Sequence, residues 1–236
     1  MNMKETYGIR PDYRCNPRPH FPGGDNFWAS VPADHARYYQ RAVYRLAGEL
    51  AGKIGAGSLL DVGCGLGVKL QAIHQRHPQI KIVGLDSAEA VRYCRAHWDF
   101  GEWHEVDLES PPRDPSWRAE VVVCADVIEH IADPDPLVAF LKQAVLPGGH
   151  LILSTLDRLT SRGPDALSPP NPAHIREWSF EEFAGYLRSR GLRVLDHYRT
   201  WPVSFGLHRL CWEENIKPFL KGLSGRSCQV CIAGIS

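Results

Sequence analysis

Leu59-Leu60-Asp61-Val62-Gly63-Cys64-Gly65-Leu66-Gly67 runs from an apolar stretch through an acidic residue into three alternating glycines, and then into helix-forming sequence. Glycine lacks the Cβ that would hold a ligand away and tolerates positive φ, so such a turn brings bare N–H groups and a helix N-terminus against a bound molecule. This places a cofactor site at the first strand-to-helix turn. A dinucleotide fingerprint has glycines at relative positions one, three and six, whereas here the sixth position is Val68 and the third glycine is Gly67. NAD is disfavoured. A phosphate-binding loop needs Lys and then Ser or Thr after its last glycine, but Val68-Lys69-Leu70 follow Gly67, which disfavours ATP as well.

The 236 residues suffice for one α/β domain with a sizeable core, and 44% apolar with 23% charged residues is ordinary globular composition. Lys plus Arg equals Asp plus Glu at 27 each, so no overall field draws the protein to nucleic acid or an anionic membrane. A small-molecule partner is expected. Seven cysteines scattered through core-like segments, and a start Met1-Asn2-Met3-Lys4-Glu5 with no apolar run behind it, point to a reducing cytoplasm. No stretch approaches the roughly 20 apolar residues of a bilayer span, so no membrane insertion is expected. Cys228-Gln229-Val230-Cys231 lacks a second ligand pair, and strand residues three apart point to opposite faces, so no metal is expected there.

Short buried strands alternate with amphipathic helices, the pattern of a mostly parallel sheet covered on both faces. A leading helix is predicted from Pro32 to Gly52, with Tyr39, Val43, Leu46 and Leu50 on one face. Strand one is Leu59 to Val62 and its helix ends near Pro78; strand two is Ile80 to Leu85, followed by a helix with Ser87 at its N-cap. Strand three runs from Trp103 to Val106, and the unbroken apolar strand four, Val121 to Ala125, should be central. The next helix is predicted to start at Asp135-Pro136 and to be closed by Pro147-Gly148-Gly149. Strand five is Leu151 to Thr155, Ser179-Phe180-Glu181-Glu182 reads as a capping box, and two β segments follow, Leu192 to Tyr198 and Gln229 to Ile235. Two proline- or glycine-rich stretches, 157–178 and 201–225, are expected to be lids, because disordered chain would waste Trp178, Trp201, Phe205 and Trp212.

Asp-Val-Gly-Cys-Gly-Leu-Gly at Asp61 to Gly67 resembles motif I of the class I S-adenosylmethionine-dependent methyltransferases, whose glycine turn passes beneath the methionine end of the cofactor. Asp86 ends strand two about 20 residues beyond the turn, where an acidic side chain can accept both ribose hydroxyls. Val106-Asp107-Leu108 resembles the segment that meets adenine through an acidic side chain and a backbone N–H. Ala125-Asp126-Val127-Ile128-Glu129-His130 resembles motif IV, and Pro147-Gly148-Gly149 the motif before strand five. The resemblance covers Gly57 to Ile235. It implies a three-layer α/β sandwich with a seven-stranded, mostly parallel Rossmann-like sheet, order 3-2-1-4-5-7-6, the last strand antiparallel. The implied cofactor set is Asp61, Gly63, Cys64, Gly65, Gly67, Asp86, Ser87, Asp107, Leu108, Ala125 and Asp126. Residues 1–56 would form a segment and helix over the cofactor site, with Tyr13 or Arg14 near the methionine carboxylate, ahead of a methyltransferase domain at 57–236.

A hydroxyl acceptor needs a base, because the neutral alcohol is a poor nucleophile. His130, at the methyl side of strand four, and His174, in the first lid, are the candidate catalytic residues. Similar ubiquinone-pathway O-methyltransferases arrange the acidic and histidine residues of the motif IV turn around a divalent metal, which would nominate Asp126, Glu129 and His130. Consecutive Glu and His need not converge, and no metal is assigned. Lids carrying His, Arg and Trp, with His208 and Arg209 in the second, suit a polar ring-shaped acceptor, and O-methylation of a small metabolite, sugar or glycan is expected. An N-methyltransferase for a small amine, a cofactor-binding regulator without turnover and a nucleotide-binding oxidoreductase remain as alternatives.

Overall fold

In strand β1 (Ser58–Val62) every residue after Ser58 is buried, which requires helices on both faces of the sheet. The computed structural model, which describes residues 7–20, 36–220 and 222–235, supplies them. In chain order the elements are α1 (Arg41–Ile54), β1, α2 (Val68–Arg76), β2 (Lys81–Asp86), α3 (Ala88–His97), β3 (Gly101–Glu105), β4 (Ala119–Ala125) and a 3-10 turn at Ile128–His130. They continue with α4 (Pro134–Ala144), β5 (Val145–Leu156), α5 (Arg158–Arg162), α6 (Phe180–Ser189), β6 (Leu192–Thr200), a π-helical turn at Cys211–Ile216, α7 (Lys217–Leu220) and β7 (Cys228–Ile235). The sheet order is β3-β2-β1-β4-β5-β7-β6. β7 runs antiparallel to both β5 and β6, and the other pairs are parallel. The sheet is the one that the motif I resemblance implies.

Alternation along the strands divides the core in two. Leu60, Val122, Cys124, Leu153 and Cys231 pack against α4 and α6, while Leu59, Val121, Val123, Ile152 and Cys228 pack against α1, α2 and α3. Cys228 and Cys231 therefore lie on opposite faces, as strand geometry requires, and all seven cysteines are free thiols. No described helix is long and apolar enough to cross a membrane.

Several boundaries differ from the sequence reading for identifiable reasons. The helix that runs to Ile54 begins at Arg41, where Gln40 takes a left-handed φ of 55° and its N–H donates to Pro202; the expected start at Pro32 lies outside the described residues. α4 uses the earlier of two consecutive Asp-Pro pairs, with Asp133 accepting from the Asp135 N–H and Pro134 in the first turn. Asp135 is left to bind Arg190 and Tyr186. Pro147-Gly148-Gly149 does not close that helix but lies inside β5, which starts at Val145. Ser87 occupies the N-cap position of α3 without a side-chain cap bond.

The two insertions are unlike each other. The first is docked: residues 173–179 are buried, and Trp178 stacks on Tyr186 of α6 at 5.5 Å. The second is tied to the N-terminal region by a bridge between Tyr39 and Val203, yet presents Phe205, Trp212, Phe219 and Leu220 to solvent. The capping box of α6 is complete, Ser179 and Glu182 each bonding the other's main chain. Leu60→Ala, at a site 1% exposed, should cost about 3 kcal/mol and Ser179→Ala about 1 kcal/mol, both read by urea unfolding. A Ser179→Ala variant as stable as the parent would mean that packing of Phe183 and Leu187 holds α6 without its cap.

Candidate active site at the carboxyl ends of β1, β2 and β4

All three glycines of the first turn take positive φ: Gly63 at 84°, Gly65 at 55° and Gly67 at 68°. A side chain at Gly63 would collide with Val127, so only glycine lets the turn pass beneath the end of β4. Asp86 closes the turn from the neighbouring strand, its carboxylate accepting the N–H of Gly65 at 2.8 Å and of Ser87 at 2.7 Å. Asp61 is fully buried. Its Oδ2 accepts from the Tyr44 hydroxyl at 2.8 Å, whereas Oδ1 has no hydrogen-bond partner among the described residues. Burial raises its carboxyl to about 7, opposed by the Tyr44 bond and the nearby Lys69 ammonium. The Cys64 side chain packs into the core, leaving only its main chain for a ligand. Asp107 stands exposed just past β3, accepting the Glu109 N–H at 3.0 Å, and Leu108 beside it is half-buried.

At the end of β4, Ala125 is buried and Asp126 adopts a left-handed φ of 54°. Its carboxylate accepts from Gln40 Nε2 at 2.5 Å, and Gln40 Oε1 in turn accepts from Ser154 at 3.1 Å and Cys228 at 3.2 Å. Two non-glycine residues held at positive φ and bonded to each other form a strained joint at this end of the sheet. Sequence reasoning missed Gln40 and Tyr44, both of which read only as residues of the leading helix.

The 3-10 turn then presents Glu129 and His130. Burial, and next the Asp126 charge, push the Glu129 carboxyl up, and its Oε2 has no partner among the described residues. The first insertion returns to this turn, Ile175 donating its N–H to the Glu129 carbonyl at 2.8 Å and Arg176 bonding the carbonyls of Ile131 and Ala132, each at 2.6 Å. His130 and His174 thereby meet edge to face with ring centres 5.0 Å apart. The Nδ1 of His130 lies 2.7 Å from the Ala173 carbonyl, which can only accept, so Nδ1 carries the proton. Burial, then the neighbouring His174, lowers His130 to about 4, and the ring is neutral at pH 7. One ligand atom each from Glu129, His130 and His174 lie within 4.8 Å of one another. Asp126, nominated by resemblance as the third member of such a set, is engaged by Gln40 instead.

Tyr13 and Arg14 pack on the first insertion. Tyr13 lies under the Arg158 guanidinium at 4.5 Å, and Arg14 donates its N–H to Leu167. The rest of the expected cover, residues 21–35, falls outside the described residues. His208 and Arg209 line a cleft of about 450 Å³ with Tyr38, Leu210, Glu213 and Glu214. His208 stacks on Tyr38 at 4.0 Å, and Tyr39 reaches Glu214 at 3.4 Å, so the cleft adjoins the Gln40–Asp126 joint.

A family model described as a methyltransferase domain matches residues 31–197. The chain belongs to this methyltransferase family. A probable S-adenosylmethionine-dependent methyltransferase of Mycolicibacterium smegmatis is 32% identical over 174 residues, 73% of this chain and 62% of that protein. A ubiquinone biosynthesis O-methyltransferase of Leptothrix cholodnii is 34% identical over 116 residues, 47% of this chain and 48% of that protein. The chain thus spans about half the length of this curated relative. The plantazolicin methyltransferase BpumL, solved with S-adenosylhomocysteine, superposes with a TM-score of 0.59 at 15% identity, covering 89% of this chain and 93% of that one; it shares the fold.

The methyltransferase cofactor fits what the first turn offers. The unpartnered Asp61 Oδ1 is an acceptor that would suit the ammonium group of S-adenosylmethionine, the cofactor that the motif I resemblance implies; the glycine turn would leave room for its methionine arm, and Asp86 is the candidate for its ribose. Asp86→Asn should weaken S-adenosylhomocysteine binding by about 100-fold, since two hydrogen bonds to a charged group contribute about 1.5–3 kcal/mol each and the amide retains part of them. Calorimetry checks this, with urea unfolding of the variant as the control for lost turn geometry; unchanged affinity would remove Asp86 from the ribose site.

Proposed function

We propose that the protein is an S-adenosylmethionine-dependent O-methyltransferase for a small polar acceptor carrying a ring, such as a sugar or related metabolite, with His174 and His130 serving its hydroxyl. The observation that carries this is the convergence of the two imidazoles at the carboxyl end of β4, where open α/β sheets hold ligands. The neighbouring cleft supports the acceptor class: the Tyr38–His208 stack offers an aromatic face, and Arg209, Glu213 and Glu214 offer hydrogen bonds to hydroxyls.

Bound S-adenosylmethionine supplies a methyl group already activated by a positive sulfur. The chain's task is to hold the acceptor in line, take its proton and keep water away. A neutral imidazole bonded through Nδ1–H presents the Nε2 lone pair, to which the hydroxyl proton passes as the oxygen–carbon bond forms. Asp61, Gly63, Gly65, Gly67, Asp86, Ser87, Asp107, Leu108, Ala125 and Asp126, with the Cys64 main chain, frame the cofactor side of the reaction.

Glu129, His130 and His174 favour a second reading, in which a divalent cation held by these three residues lowers the hydroxyl pKa directly. The buried Oε2 of Glu129, without a protein partner, suits a cation ligand. On this reading the histidines are ligands and not bases.

Methyl-labelled cofactor incubated with a metabolite extract should yield a labelled, base-stable ether, and His174→Ala and His130→Ala should each lower the rate about 100-fold or more with S-adenosylhomocysteine affinity retained. A labelled amine would establish N-methylation, and the absence of any labelled product would favour a regulator. Prolonged chelation separates the two readings: activity lost and restored by Mg²⁺, Mn²⁺ or Zn²⁺ establishes the cation, whereas chelator-insensitive activity leaves the histidines as bases.

A further inference from the structure

We infer that Glu177 is the positioning residue of this site, acting through His174 to hold its imidazole in one tautomer and one orientation. The inference rests on the use of His174 proposed above. Glu177 lies three residues after His174 in the first insertion, and its side chain is fully buried, 0% exposed. A buried carboxylate is strongly unfavourable unless paired and fully hydrogen-bonded. Its Oε1 accepts from His174 Nδ1 at 2.7 Å and from Arg162 Nη2 at 3.2 Å, and Oε2 accepts from Arg162 Nε at 3.3 Å. Arg162, at the end of α5, therefore supplies the compensating charge by a two-point contact. The shortest of the three bonds goes to the imidazole.

The main chain of Glu177 is fixed as firmly as its side chain. Its N–H donates to the Tyr13 hydroxyl at 3.2 Å, and its carbonyl accepts from Arg158 Nη1 at 3.0 Å. An ion pair serving only to anchor the insertion needs Arg162 and Glu177 alone. The added bond to His174 has a chemical consequence: an ionised carboxylate is an acceptor only, so Nδ1 must carry a proton, and in the neutral ring the lone pair is then on Nε2. His130 is set the same way by the Ala173 carbonyl. Both rings are thus held with the same nitrogen protonated, one by a main-chain carbonyl and the other by a charged side chain. The Arg162–Glu177–His174 chain gives the first insertion a role in the chemistry, because the group that orients the ring and the group that neutralises it both come from that segment.

The test is ¹⁵N NMR of protein labelled at its histidine rings, recorded at neutral pH with S-adenosylhomocysteine and no acceptor, with His174 assigned by the signal missing in His174→Gln. The expected wild-type spectrum shows His174 protonated at Nδ1. Glu177→Gln can still accept at Nδ1 and should keep that tautomer. Glu177→Leu cannot, and should move the proton wholly or partly to Nε2 while label transfer into the metabolite extract falls about 10- to 100-fold, S-adenosylhomocysteine affinity being retained. A wild-type His174 unprotonated at Nδ1 overturns the inference without any variant, so it stays testable even if Glu177→Leu does not fold; a folded Glu177→Leu with an unchanged tautomer or an unchanged rate overturns it too. Full activity in His174→Ala would instead overturn the use of His174 in the reaction, an outcome distinct from a wrong tautomer.

Discussion

The approach of Gly63 to Val127 is the contact on which the site depends. With no side chain at Gly63 the turn after β1 passes beneath the residue that follows Asp126, so the glycine turn proposed for the cofactor and the turn that carries Glu129 and His130 are packed together. The order of the sheet makes this contact available: β1 and β4 are adjacent and parallel, with Leu60 level with Val122, so their carboxyl ends open at the same place. The central strands are covered on both faces, and polar groups gather where the covering stops. Asp61, Asp86 and Asp126 lie at the carboxyl ends of β1, β2 and β4.

The first insertion adds a layer of buried charge to this frame. Asp157 is bound by Arg199, Arg158 by Glu182, Glu177 by Arg162, and Arg176 by two main-chain carbonyls. Ion pairs taken out of water add little net stability, because desolvation offsets most of their attraction, but an unpaired member is strongly unfavourable. Such a network therefore selects one arrangement of the segment over its neighbours. That selection brings His174, from a stretch with little regular structure, to within 5.0 Å of His130. Among the described residues the second insertion shows no comparable layer, and it leaves Phe205, Trp212 and Phe219 facing solvent.

Elements with strong local signals were legible from sequence. The apolar runs of β1 and β4, the Ser179–Glu182 box and the glycine turn are written in consecutive residues, and each is found where its pattern places it. Where two local signals compete the reading fails: Asp133-Pro134 and Asp135-Pro136 are equivalent as sequence, and only the demand of Arg190 and Tyr186 for Asp135 separates them. Pro147-Gly148-Gly149 reads as a break, yet it lies within the early part of β5, whose pairing with β4 begins at Val145. Gln40 carried no signal, since its role exists only because Pro202, Ser154, Cys228 and Asp126 surround it.

Sequence by itself determined the sheet, its cofactor end and the methyltransferase family, because strand burial, glycine conformation and motif spacing are properties of neighbouring residues. Tertiary structure alone decided which side chains meet at the candidate site. Glu129, His130, His174 and Glu177 come from segments as much as 48 positions apart, and their meeting follows from the pairing of buried charges and carbonyls across the first insertion, an energy that no local window of sequence contains.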